Sequence, residues 1–197
     1  MTMQLSKLRT ILGLTGLLFF TAPSYVMGQG YRQHDAHEHG VAQLNIAQQG
    51  NTLHLELTSP AMNIVGFEHA PRNAKQRQAI QQAVADLNKG ADLFVLDSEA
   101  KCTLQDVTVE TGLLSSQADH GHDEHKHDKK EPAADTSHAD FEARYVFQCQ
   151  HASALKGIMI KLFSHFPATT ELAVQLLSDS GQTARHLSAA NPYLPFK

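Results

Sequence analysis

The sequence predicts an α+β fold, a largely antiparallel sheet of about seven strands with one main amphipathic helix and a disordered His-rich insert. Three observations predict it. Several segments alternate apolar and polar residues with a period of two, the signature of half-buried strands. One stretch, Asn73 to Lys89, changes to helical spacing. A third, Asp119 to Ser137, has no apolar pattern at all.

The chain opens with Lys7 and Arg9, then the apolar run Ile11 to Phe20, then small and polar residues. That order is the pattern of a cleaved secretory signal, and the run is too short to span a bilayer. Val26 and Gly28 suit the positions before cleavage, so residues 1–28 read as signal peptide and residues 29–197 as a single domain containing a His-rich loop at 115–138. Such a signal implies export from the cytoplasm. Losing Lys7 and Arg9 lowers Lys+Arg from 16 to 14 against 20 Asp+Glu, a net charge of −6 with His neutral. An acidic balance argues against nucleic acid and for a soluble protein that attracts cations. No membrane insertion after cleavage and a monomeric state are expected.

The elements follow in order. Val41 to Gln48 and the alternating Leu53, Leu55 and Leu57 flank Gly50-Asn51 and read as a hairpin ending at Ser59-Pro60. Ile80, Ala83, Val84 and Leu87 form the apolar stripe of the helix, punctuated by Pro71 before it and Gly90 after it. Ala91 to Leu96 is short and apolar and fits neither period. Lys101 to Glu110 reads as a strand whose phase changes near Asp106, as at a bulge. The His-, Asp- and Lys-rich segment that follows contains Pro132 and cannot bury a core, which reads as an exposed disordered loop. Phe141, Ala143, Tyr145, Phe147 and Cys149 alternate as a strand, and Ile158, Ile160 and Leu162 as another that ends at His165-Phe166-Pro167. Glu171 to Leu177 and Gln182 to Leu187 form a second hairpin around Ser178 to Gly181.

Cys102 and Cys149 are the only cysteines. In an exported protein an isolated pair forms a disulfide, whereas two thiolate metal ligands would need a reducing compartment. Closing so long a loop restricts the unfolded chain by up to roughly 4 kcal/mol.

Metal chemistry dominates the remaining signals. His120, His122, His125 and His127 stand among acids in the run Asp119 to Asp128, and His138 follows. Neutral imidazole ligates Zn²⁺, Cu²⁺ and Ni²⁺, and Asp and Glu add oxygen ligands. Protonated imidazole cannot ligate, so capture by such a run weakens in mildly acidic medium. A second cluster, His34, His37 and His39, leads toward the first strand, where residues two apart share a face. Glu68-His69 precedes the helix. His69 either completes a site with His37 and His39 or hydrogen-bonds within a turn. His54 reads as an exposed strand residue, and His151, His165 and His186 as structural. No H-E-x-x-H, G-x-S-x-G or phosphate-binding glycine loop is present, so no enzyme activity is expected.

The segments HGVAQLNIAQQGNTLHLELTSPAMNIVGFEHAP (His39 to Pro71), FEARYVFQC (Phe141 to Cys149) and LFSHFP (Leu162 to Pro167), with the paired cysteines, resemble the ZrgA-type periplasmic zinc-uptake proteins. The resemblance covers nearly all of the mature chain. It implies Zn²⁺ as the ligand and assistance to a high-affinity ABC-type importer, to whose periplasmic zinc-binding component the metal would pass. His37, His39, Glu68, His69 and His138 flank the best-matching segments and are the candidates for an ordered site. The residues by themselves also allow a periplasmic copper or nickel buffer, or an envelope protein-interaction module with incidental metal binding.

Overall fold

A computed structural model describes residues 38–117 and 139–196 of the protein. The expected signal peptide lies outside the described residues, as does all but the first three residues of the expected His-rich loop.

Backbone alternation builds the first hairpin. β1 (Val41–Gln49) and β2 (Thr52–Pro60) pair antiparallel across Gly50-Asn51, with Ile46 opposite Leu55 and Leu44 opposite Leu57. Gly50 takes a positive φ of 58°, which glycine adopts without steric cost. A short helix, α1 (Ala61–Val65), leaves β2 and stops at Gly66, left-handed at φ 81°. The helix predicted over Asn73 to Lys89 is α2 (Ala74–Leu87), and Asn73 caps it by accepting the Gln76 N–H at 2.9 Å. It buries Ile80, Ala83 and Leu87.

The segment that fitted neither period divides into a helical turn, α3 (Gly90–Leu93), and a short strand, β3 (Phe94–Leu96). β4 (Cys102–Thr111) carries the expected bulge, a register shift between Leu104 and Asp106. It pairs with β5 (Asp140–Cys149), and Cys102 stands directly opposite Cys149, to which it is disulfide-bonded. The strand expected over Ile158 to Leu162 is β6 (Gly157–Ile160), followed by a helical turn, α4 (Leu162–His165). β7 (Glu171–Ser178) and β8 (Gly181–Ser188) form the second hairpin, and β9 (Tyr193–Pro195) ends the described chain.

The described residues thus hold nine strands, not seven, and four helices of which α2 alone is long. The two strands missed, β3 and β9, have three residues each, too few to show a period. They flank β6 in a small antiparallel sheet, β3-β6-β9. The large sheet runs β4-β5-β2-β1-β7-β8, and every neighbour is antiparallel except β1 with β7. Its inward residues, Leu44, Leu55, Tyr145 and Val174 among them, join α2 and the inward Phe94, Ile158 and Leu194 of the small sheet in one apolar core.

Tyr145 fastens these layers. Its ring meets Phe94 edge-on at 5.1 Å, and its hydroxyl donates to the Leu87 carbonyl at 2.9 Å. Burial holds the phenol well above its ordinary pKa, so it remains a donor. The ring also fills the space where a side chain at Gly90 would begin. Glycine to alanine in a helix ordinarily stabilises by up to about 1 kcal/mol. Gly90→Ala should instead destabilise by about 1–3 kcal/mol through overpacking against that ring. Tyr145→Phe should cost about 1 kcal/mol for the hydrogen bond to Leu87. Urea unfolding of both variants measures the two terms, and a stabilised Gly90→Ala protein would refute the packing assignment.

Candidate functional site

The described candidate ligands, His39, Glu68 and His69, lie toward one end of the large sheet. Antiparallel pairing sets the start of β1 beside the end of β2, and the end of β2 beside the start of β5, with Pro60 opposite Asp140. Parallel pairing sets the start of β7 beside the start of β1, with Val41 opposite Glu171. The end of β4 closes the row, with Thr111 opposite Phe141. Both described flanks of the His-rich segment, at Gln117 and Ala139, therefore leave from the end of the sheet that begins with His39. The disulfide lies at the other end of β4 and β5.

His39 sits in a turn and not on a strand. The Val41 N–H donates to the Glu38 carbonyl at 3.1 Å, Gly40 adopts φ 90°, and β1 begins only at Val41. The expectation that His37 and His39 share a strand face by alternation therefore does not extend to His39. What the turn does is direct the His39 ring to Glu68, with Nε2 3.3 Å from Oε1. His39 is 60% exposed and Glu68 19%. The carboxylate oxygen of this contact, Glu68 Oε1, is buried, whereas the ring is mostly in solvent.

Glu68 reaches this position because the left-handed Gly66 ends α1 and turns the chain back. Phe67 and His69 stack with ring centroids 5.2 Å apart. His69 makes the turn hydrogen bond, with Nδ1 2.9 Å from the Ala70 carbonyl. Since a carbonyl only accepts, Nδ1 is the donor in that bond. Among the described residues no group of three or more His, Cys, Asp or Glu comes together as a complete metal site. The structure brings His39 to Glu68 and leaves His69 adjacent in sequence but outside the pair. His34, His37, His120, His122, His125, His127 and His138 lie outside the described residues.

Three features of this sheet end were not anticipated from sequence. The Asn63 side chain, 2% exposed, accepts the Gly40 N–H at 2.7 Å and donates to the Val41 carbonyl at 2.9 Å. The Gly40 carbonyl accepts from the backbone N–H groups of Thr170 at 2.8 Å and Glu171 at 3.0 Å. His186, read as structural, is an exposed side chain with Nδ1 2.6 Å from Glu171 Oε1. The lone glycine in NIVGFEH was the available signal for the turn. Nothing in the sequence linked Asn63 to a residue 23 positions away.

The rest of the described surface offers less. A cavity of about 510 Å³ at the opposite end of the sheet is lined by Asn51, His151 and Asp179 among others, with one imidazole and one carboxylate. Arg144 faces Glu142, Glu110 and Glu56 at 3.2, 3.6 and 3.8 Å on the outer sheet face, a solvated charge cluster. His54 is exposed, as expected. No described helix is long and apolar enough to cross a membrane.

Gly66→Ala tests the turn. No atom lies within 4 Å of the added Cβ, so the cost is that of a left-handed non-glycine residue alone, about 1–2 kcal/mol. Thermal unfolding should show that loss, and an unchanged midpoint would mean that the turn tolerates a side chain.

A family model described as ZrgA family zinc uptake protein matches residues 36–196 of the chain. No curated protein matches it.

Proposed function

The chain belongs to the ZrgA family of zinc uptake proteins, and from that membership we propose a periplasmic accessory protein that captures Zn²⁺ and passes it to an ABC-type importer. It acts as a carrier and not as an enzyme. His120, His122, His125, His127 and His138 gather the ion, and His39 with Glu68 receives it at the ordered end of the sheet. His34, His37 and His69 are the nearest in sequence to complete that second site.

The observation that supports this division of labour is the Ala61 N–H bonded to the Ala139 carbonyl at 2.9 Å. Ala139 follows His138 directly, and Ala61 opens α1, the helix that leads to Glu68. The capture segment and the receiving pair are thus joined to one short piece of backbone. Imidazole and carboxylate ligands around Zn²⁺ exchange one at a time, which suits transfer from one set to another.

Calorimetric zinc titration of the mature chain, of a variant lacking residues 119–138, and of His39→Ala/Glu68→Gln tests the reading. The deletion should lower the number of ions bound, and the double substitution should weaken one remaining site by at least about tenfold. Unchanged stoichiometry in the first variant would refute capture by the run. Unchanged affinity in the second would refute the receiving pair.

A further inference from the structure

We infer that Asn63 is a positioning residue for the zinc-binding pair, setting the affinity of the site without touching the metal. The inference rests on the reading of His39 and Glu68 as zinc ligands and adds what holds them ready.

Gly40 is the hinge between His39 and β1. Its φ of 90° leaves both of its peptide groups dependent on outside partners. The N–H goes to Asn63 Oδ1 at 2.7 Å, and the carbonyl takes the N–H groups of Thr170 and Glu171 and the Thr170 hydroxyl at 3.2 Å. Asn63 Nδ2 adds the Val41 carbonyl at 2.9 Å and lies 3.4 Å from Ser59 Oγ. One amide thus holds the N–H of the residue next to His39 and the carbonyl of the residue after it. The same five-residue helix that carries Asn63 ends in the turn that returns Glu68. A single rigid piece therefore fixes both members of the pair.

The choice of a polar residue there is informative. Among the described residues the buried polar side chains are Ser59, Asn63 and Thr169. Ser59 and Asn63 touch, and Thr169 adjoins the Thr170 that grips Gly40, so all three stand at this sheet end. The remaining core is apolar. Buried polar groups concentrated where metal ligands are presented fit a site that is held in place before binding, at a cost in packing. Supporting residues of this kind typically change metal affinity by about 10- to 100-fold when removed.

The test is site-specific. Zinc is titrated into the full mature chain while the His39 ring signals are followed by NMR, for the parent, Asn63→Ala, Gly40→Ala and Tyr145→Phe. Tyr145→Phe removes a buried hydrogen bond in the core and serves as the control for general loss of stability. Asn63→Ala should raise the zinc midpoint at His39 by about tenfold or more. Tyr145→Phe should leave it within about twofold, because the two sites share no partners. Gly40→Ala keeps Asn63 but adds a Cβ 2.7 Å from Thr170 Oγ1, and it should weaken the same signal. It decides the matter if Asn63→Ala fails to fold. An unchanged midpoint in the folded Asn63→Ala protein, or in Gly40→Ala where the former does not fold, overturns the inference, and so does equal weakening by Tyr145→Phe. If His39→Ala leaves zinc binding intact, the reading of the pair fails and this inference with it. If His39→Ala weakens binding and Asn63→Ala does not, the positioning role alone fails.

Discussion

Inward alternation across the central strands is the constraint on which the remaining structure depends. Ile46, Leu55 and Tyr145 form one inward row, continued on β7 by Leu176, and Leu44, Leu57 and Ala143 the next, continued by Val174. A slip of one residue in β1 alone would turn Ala42, Leu44 and Ile46 out to water. Each fully buried Leu or Ile contributes about 1.5–3 kcal/mol, so the native register is strongly preferred. With the register fixed, strand lengths decide which ends coincide. The starts of β1, β5 and β7 and the end of β2 have no freedom to separate, and the turns that carry His39 and Glu68 are built on them.

Backbone hydrogen bonding then converts a sheet end into a site. Where β1 begins, the pairing partners of an ordinary strand run out, and Gly40 still has an N–H and a carbonyl to satisfy. The chain meets that demand with a side-chain amide from α1 on one side and the start of β7 on the other. The turn carrying His39 is consequently tied into three elements, although its ring remains mostly in solvent. A neighbouring pair, His186 with Glu171, is carried by β8 and β7 at the same end. Glu171 also gives its backbone N–H to Gly40, so the two histidine–carboxylate pairs are anchored to one glycine.

How much of this was legible in the sequence follows from the range of each interaction. Strands of eight or more residues and α2 announce themselves because their periodicity is local and repeated, and the bulge near Asp106 showed as a change of phase. β3 and β9 could not, since three residues carry no period and their sheet exists only through pairing with β6. The histidines and the Glu68-His69 segment stood out by composition and motif. The contact of His39 with Glu68 did not, because it is made through a turn whose partners come from Asn63 and Thr170. Asn63 reads in sequence as one polar residue in a short apolar stretch. Its meaning lies in contacts 23 residues apart, which no local pattern contains.

The proposed ligand chemistry also bears on why the His39–Glu68 pair is not by itself a complete metal site. Thiolates would make the strongest zinc ligands in the chain, but Cys102 and Cys149 are spent on the disulfide. What remains is imidazole nitrogen and carboxylate oxygen. A structural zinc centre closes four positions and holds its ion, whereas a site that must release it gains from positions left open to incoming ligands. In the proposed site the His39 ring is 60% exposed and Glu68 19% exposed, at the end of the sheet from which the described flanks of the His-rich segment leave. Rigidity in the pair lowers the entropy lost on binding, and openness lets a new ligand enter before an old one departs. Under that reading rigidity comes from the short stretch between Ser59 and His69, where a buried amide and a glycine turn fix the backbone, and openness comes from the His39 ring, which is mostly in solvent.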